Sequence, residues 1–483
     1  MIAAAGFFAC CAIGVAQAED VSEQGAGELR KNLMHMLSDD LAKSGFLEIR
    51  PAGGVYEVTL DLAKFLDKIG SPDFSITGIQ PQTMLVAPLA DNLWNIEGNS
   101  RFDVAAHSRL GHGPATDVKY SVGSLVYSGV FDPAISYLRS ADVTAKDIRM
   151  LSTAGPRTIE TTAAGMNYKL AAIDSSEPHK IDFHTTGTLP SFYEKISSPT
   201  APDMELRADS LDVDGSASGV RVKEVRDLLR FVFQHVKAKN LSKKGSDRFE
   251  DLARAAMPLF TSLGEAATAN NLTISTPGGH AGIGKLVYSF KMDGLVNSSH
   301  IVFGMRAQDM TVSDGLLPSA YAPLLPQVAE IQFGIPGLNF ADAADVLLQA
   351  DFSKEQPLSK QEGERIGTLV FPAGTVTLEI PKLSAKSGLY DVEAFGKITS
   401  DIRRKGHYTL QLTILARDYD KTIAYIQQAG KSEPQLNQVS FGLLMAKGFA
   451  KTDPDGRQRW EIAADESGTV TVNGQVMKNP MPH

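Results

Sequence analysis

Beyond residue 18 this 483-residue sequence contains no cysteine, because both of its cysteines, Cys10 and Cys11, fall inside the leading apolar run. Without thiols, no disulfide can staple the fold and no thiolate can serve as nucleophile, so buried apolar packing has to hold the chain together. Basic runs are scarce too. The densest, IRRKGHY at 402–408, is brief, and the formal net charge is −9. An acidic balance repels phosphate backbones, which makes nucleic acid a poor partner and a solvated turn the better reading of Arg403, Arg404 and Lys405. No Gly-x-Ser-x-Gly nucleophile elbow occurs. With 43% hydrophobic and 21% charged residues, the chain still has the composition of a folded protein and not of a disordered one.

The run that opens the chain, MIAAAGFFACCAIGVAQA, carries no charged side chain and ends in Ala16-Gln17-Ala18, the small-x-small pattern cleaved by signal peptidases. It reads as a secretory signal, residues 1–18, removed before Glu19, although the usual basic n-region is missing. The run is short for a membrane span of about 20 residues, so an uncleaved anchor is the weaker alternative. Lipidation at Cys10 fits poorly, since the aromatic pair Phe7-Phe8 stands where a lipobox needs Leu and a small residue. The expectation is an exported bacterial protein of the periplasm with no transmembrane segment after signal cleavage.

After the leader, Leu29, Leu33, Met36, Leu37 and Leu41 recur at spacings of three and four, one apolar stripe of a helix. The period then changes to two. FLEIRPAGGVYEVTLDL alternates on either side of a Pro-Ala-Gly-Gly turn and reads as a hairpin, followed by a short helix capped by Asp61 and stopped at Gly70. The same grammar of strand, turn, acidic cap and short helix is expected around Asp132, around Asp342, around Asp418 or Asp420, and more loosely in VDGSASGVRVKEVRDLLRFVFQHV. GTLVFPAGTVTLEI and RWEIAADESGTVTVNG share a GTVT segment, and each reads as two short strands joined by a glycine-bearing turn, an apparent internal repeat with no fixed period.

The middle of the chain is helical in pattern. Leu228, Leu229, Val232, Phe233 and Val236 form one face, and Leu252, Ala256, Leu259, Phe260 and Leu263 a second, with Ser246 or Asp247 as cap and Pro258 as a kink or fresh start. The expected class is therefore α+β: β-rich, mostly antiparallel hairpins forming extended curved sheets with short helices on one face. The expected organisation is a leading amphipathic helix and N-terminal β-rich half over 19–221, a helical hairpin over 222–270, and a C-terminal β-rich half over 271–483, with a polar loop at 351–365.

Motifs for specific chemistry fall short. Gly279, Gly284 and Lys285 have the spacing of a phosphate-cradling loop, but Leu286 stands where Ser or Thr must hold magnesium, and LVYSFKM alternates like a strand. Asp212, Asp214 and Gly215 mimic part of a calcium loop whose final glutamate position holds Arg221, and Asp453, Pro454, Asp455 and Gly456 make a better turn than ligand set. His107 and His112, and His179 and His184, are five apart, which suits neither one helical face nor one strand face. No catalytic, cofactor-binding or metal-ligating residue is assigned, and no cofactor is expected.

Two runs, LLMAKGFAKTDPDGRQRWEIAADESGTVTVNGQVM and LLPSAYAPLLPQVAEIQFGIPGL, resemble uncharacterised exported bacterial envelope proteins, the YdgA-like family and related alphaproteobacterial families. The resemblance covers the last third. It implies a periplasmic, β-rich protein and carries no residue roles over to this chain. The function expected is non-enzymatic binding of an apolar ligand, a lipid or a protein partner in a β-rich groove of an envelope protein. The alternatives are an exported hydrolase with a dispersed active site and an assembly scaffold that uses exposed strand edges.

Overall fold

The computed structural model describes residues 21–34, 44–69, 73–109, 113–135, 137–235, 240–404 and 406–478. The leader 1–18, Met36, Leu37, Leu41, Gly70, His112, Val236 and Lys405 lie outside them. Antiparallel strands dominate, and the sheet is not closed. The chain divides into two compact units, Met1–Leu263 with Leu347–Ser359, and Gly264–Val346 with Lys360–His483.

In the first unit, α1 (Glu23–Met34) precedes the hairpin of β1 (Leu47–Ala52) and β2 (Val55–Leu60), whose register runs from Leu47 opposite Leu60 to Ala52 opposite Val55. Gly53 and Gly54 turn it with positive φ, as the Pro-Ala-Gly-Gly signal predicts. The helix α2 (Leu62–Ile69) follows, with the backbone N–H of Lys64 donating to the Asp61 carboxylate. Next come β3 (Phe74–Thr77), β4 (Gln82–Pro88) and six long strands: β5 (Trp94–Ser108), β6 (Thr116–Asp132), β7 (Tyr137–Ala154), β8 (Arg157–Asp174), β9 (Ile181–Ser198) and β10 (Ala201–Val220). They pair in the order β1, β2, β4, β5, β6, β7, β8, β9, β10, and β3 lies beside β4 on the same edge of β5. At about 3.3 Å per residue, these last strands are roughly 50–65 Å long, against the usual 3–10 residues of a globular strand. The helices α3 (Val222–Gln234) and α4 (Lys243–Ala256) form the expected αα-hairpin.

The second unit begins with β11 (Ser262–Thr276) and continues as a meander of β12 (Gly279–Asp293), β13 (Ser299–Val312), β14 (Val328–Leu338), β15 (Thr375–Lys386), β16 (Asp391–Asp401) and β17 (Tyr408–Arg417). The helices α5 (Phe340–Leu348) and α6 (Lys360–Val370) separate β14 from β15. Beyond β17 come α7 (Tyr419–Ala429), α8 (Gln435–Lys447), β18 (Lys451–Thr452), β19 (Gln458–Ala464), β20 (Val470–Val472) and β21 (Gln475–Lys478), with β19 pairing back on β17.

Several expected elements take another form. Asp132 starts no helix: β6 ends there and β7 begins at Tyr137, because Tyr137, Leu138, Val143 and Thr144 are better suited to pairing with β6 than to a helix, and only one turn fits between. The buried Asp132 carboxylate instead fixes that turn, accepting from the Ala134 N–H at 2.8 Å and from Arg139 Nε at 2.8 Å. The α5 cap is Asn339, not Asp342; the Asp342 N–H donates to Asn339 Oδ1 and the Asn339 amide donates back to the Asp342 carboxylate, a reciprocal cap. The α4 cap is Ser242, whose Oγ accepts from the Gly245 N–H, while Ser246 lies buried within the helix. That helix stops at Ala256 before Met257-Pro258, so Leu259, Phe260 and Leu263 lie outside it, as a proline lacking an N–H requires. Arg221, not an acid, stands at the α3 cap position, and Asp418 precedes α7 without a side-chain cap.

The GTVT pair is also not a pair of hairpins. Gly374 and Gly468 both have positive φ and both lead into strands, but GTLV at 367–370 is the end of α6, and only 459–472 forms a hairpin, β19 with β20. The stronger internal echo lies elsewhere, in GSLVYSGVFD at 123–132 and GKLVYSFKMD at 284–293, which occupy β6 and β12.

Candidate functional site: the apolar face of the first unit

Alternation in β5 sorts its residues into two faces. Asn95, Glu97, Asn99, Arg101 and Asp103 point one way, and Trp94, Ile96, Gly98, Ser100, Phe102 and Val104 the other. Cross-strand register carries the second set across the sheet. Val104, Phe102, Ser100, Gly98, Ile96 and Trp94 stand opposite Tyr120, Val122, Leu125, Tyr127, Gly129 and Phe131 of β6. Those in turn oppose Met150, Ile148, Ala145, Val143, Ala141 and Leu138 of β7. The result is one apolar face on which β4 to β7 place no Lys, Arg, His, Asp or Glu, while the other face carries pairs such as Asp142 with Lys169.

The spacing on β6 slips once, from Val122 to Leu125, and the slip has a structural cause. Gly123, Asp147, Ala164, Ser191 and Asp209 form a row straight across β6 to β10 by register, each strand carrying one extra residue there. Asp147 and Ser191 take left-handed φ values of 53°. Between β5 and β6 the register shifts at this row, the mark of a bulge. A Cβ on Gly123 would stand 3.0 Å from the Asp147 Cβ, so any larger residue would press on Asp147 across the pair. The second unit repeats the device: Gly284 lies opposite Asp309, φ 54°, with a Cβ contact of 2.9 Å.

Two cores anchor the face. At one end α1 inserts Ala26 and Leu29 among Tyr56, Val58, Val86, Trp94 and Phe131. Further along the strands, Val122, Ala145, Ile148 and Ala163 pack with Phe102, Tyr120, Leu125, Met166 and Leu189. Between the cores runs a belt of small residues and tyrosines: Gly98, Tyr127, Val143, Tyr168 and Gly187 in one row, and Ile96, Gly129, Ala141, Leu170 and Thr185 in the next. The tyrosines lie over the glycines. An ideal Cβ on Gly98 would fall 2.2 Å from Tyr127 Cζ and Oη, and one on Gly187 would touch the Tyr168 ring at 3.6 Å. The large side chains of this belt are half-buried, not sealed in.

The belt and the rows that border it carry polar atoms without partners. Tyr127 Oη, Ser100 Oγ and the indole N–H of Trp94, itself 2% exposed, are all shut off from solvent and make no hydrogen bond. Burial raises the phenol pKa of Tyr127, Tyr120 and Tyr168, with the nearby Thr185 hydroxyl offsetting part of the rise at Tyr168. Each therefore keeps its proton near neutrality and remains a donor.

The near-miss motifs fall on unrelated places. Gly279, Gly284 and Lys285 belong to β12, so no helix N-terminus follows them. Asp212 and Asp214 sit on the polar face of β10, and Asp453 to Gly456 form a turn whose Asp453 accepts from Arg459. His107 pairs with Asp117 at 2.7 Å on a half-buried strand position and His184 with Asp214 at 3.7 Å on an exposed one, while His179 sits in a left-handed turn. Among the described residues no cluster of three His, Cys, Asp or Glu residues could hold a metal ion, and no helix is long and apolar enough to cross a membrane. The second unit has an apolar face of its own, with Tyr288, Phe303, Met305 and Leu383 exposed and Arg306, Glu330 and Lys382 linked on the opposite side.

Sequence reasoning named none of Tyr127, Ser100 or Trp94. The signal was there in the glycine at 98, because a glycine in a strand marks a place where something else approaches closely. No family model matches this chain, and no curated protein or solved structure is similar to it.

Proposed function

We propose that this chain is a non-enzymatic envelope protein, exported to the periplasm, that shelters the acyl chains of a lipid against the apolar face of its first unit. The observation that carries the reading is that face itself: long strands, Ile, Val, Leu, Met, Phe and Tyr side chains interspersed with Gly, Ala and Ser and left half-buried between two small cores, and no charge among them on β4 to β7. A protein that needed those residues only for its own core would bury them more completely, since each buried aliphatic or aromatic side chain is worth about 1.5–3 kcal/mol. An apolar ligand supplies the missing cover, and strands of roughly 50 Å or more are long enough to lie along extended acyl chains.

The test is direct. Full-length protein purified without detergent is extracted and its lipids identified by mass spectrometry, then titrated with a fluorescent fatty acyl ester. Copurifying lipid and saturable, displaceable binding are expected. Clean protein with no saturable binding refutes the reading. Fractionation of expressing cells checks the location, with the protein expected in the osmotic-shock fraction and refuted there by retention in the cytosol.

A further inference from the structure

We infer that residues 347–359 are a clasp on the helical hairpin, a segment that grips α3 and α4 through the ring and main chain of Phe352 and opens together with them while the long strands stay paired. The chain leaves the first unit after Leu263, returns to it at Leu347 and departs again after Ser359, so the first unit is completed by residues borrowed from the middle of the second unit's sequence. Phe352 is the anchor. Its N–H donates to Ser246 Oγ and its carbonyl accepts from the Leu241 N–H, both at 3.0 Å, so both of its main-chain groups are committed to the start of α4. Ser246, the acceptor, is 3% exposed. The Phe352 ring stands edge-on to Phe249 of α4, with centroids 4.9 Å apart and planes at 73°. Phe249 in turn lies 6.2 Å from Phe231 of α3, which stacks on His235 at 4.2 Å. One row of rings thus joins the segment, α4 and α3.

The grip is local. Phe231, Phe249 and Phe352 are half-buried and belong to neither core of the first unit, so they form a satellite cluster with little apolar area of its own. The strands β6 to β9, by contrast, are 17 or 18 residues long and hydrogen-bonded to a neighbour on each side. Away from Phe352 the segment is held weakly. The Asp351 carboxylate comes only within 4.0 Å of Lys243, whose side chain is 69% exposed, and otherwise accepts from the Ser353 N–H, which folds the segment on itself. An open groove of about 650 Å³, lined by Asn240, Lys354, Glu355 and Gln356, lies beside it. A cluster with few buried contacts, tied by two hydrogen bonds and one ring, opens at a lower free energy than a paired sheet, and it opens as one piece because the ring row links its members. The clasp does not depend on lipid binding.

The test is native-state hydrogen exchange followed by mass spectrometry on the full-length protein, comparing the wild type with Phe352→Ala and Ser246→Ala. In the wild type, peptides from α3, α4 and 347–359 are expected to exchange with one common protection, well below that of β6 to β9. Phe352→Ala is expected to speed exchange in α4 by about 10- to 100-fold and to leave β6 to β9 unchanged. Ser246→Ala removes one hydrogen bond and keeps the ring, so it should speed the same peptides by about 2- to 10-fold. Exchange in α4 untouched by both substitutions would show that the segment does not hold the hairpin. Acceleration of β6 to β9 to the same degree, or failure of Phe352→Ala to fold, would place Phe352 in the global core and overturn the clasp.

Discussion

Gly98 and Tyr127 offer the sharpest check on the arrangement of the belt. A methyl group at position 98 would stand 2.2 Å from Tyr127 Cζ and Oη and 2.7 Å from Cε1, so in Gly98→Ala either the ring swings away or the strands part. Overpacking of this kind costs about 1–3 kcal/mol. Tyr127→Ala removes a half-buried ring and is expected to cost about 2–3 kcal/mol, less than the 3–5 of a fully buried aromatic. In the double variant the new methyl occupies vacated space, so the combined loss should fall short of the sum of the singles by about 1–3 kcal/mol. Gly98→Ala placed in Tyr127→Phe should stay as costly as in the wild type, because the ring remains. The chain has two tryptophans, Trp94 in the first unit and Trp460 in the second, so a Trp460→Phe background leaves Trp94 fluorescence as a reporter of the first unit alone during urea unfolding. Additivity within about 0.5 kcal/mol would show that the ring does not lie over Gly98, and the belt would have to be redrawn.

Three further outcomes follow from other parts of the fold. Leu29→Ala, at a position of α1 only 1% exposed, should lower the Trp94-reported stability by about 2–5 kcal/mol; a loss below 1 kcal/mol would mean that α1 is not docked. Asp147→Gly should be neutral or stabilising and Asp147→Val destabilising by about 1–2 kcal/mol in thermal unfolding, since a left-handed residue penalises a β-branched side chain; equal effects would argue against the kink. The Glu330 carboxylate is held below its ordinary pKa, first by its bond to Lys382 and also by Arg306. A depressed carboxylate pKa contributes stability that is present above the unfolded value of about 4.3 and is lost as pH falls through the lower folded value, so Glu330→Gln should flatten the acid limb of a stability–pH curve and change little when both are protonated.

How much of this was legible beforehand depended on the kind of signal. The hairpin at Leu47–Leu60 was readable because period-two alternation and a Gly-Gly turn agree, α7 from the strand, turn and acid that precede a short helix, and the α3–α4 hairpin from its apolar stripes. Asp132 misled because an acid followed by proline looks like a helix start, whereas Tyr137 and Leu138 turn straight back to pair with Asp132 and Phe131 of β6. GTLV misled in the opposite direction, since its β-branched residues lie in the last turn of α6. The candidate site was illegible for a further reason. Tyr127, Gly98 and Ser100 are remote in the chain, and the slip from Val122 to Leu125 breaks the alternation that would have put Leu125 and Tyr127 on the same face as Val122.

That slip bears on how such a sheet can change over evolutionary time. Gly123, Asp147, Ala164, Ser191 and Asp209 are scattered through almost ninety positions of the polypeptide, yet hydrogen-bonding register ties them into a single line. Losing one of them alone would leave its neighbours a residue too long and slide a pairing, which exchanges faces for everything beyond. Length variation in descendants of this gene should accumulate in the connecting turns, and any strand that sheds its surplus residue should do so only in company with the strands on either side.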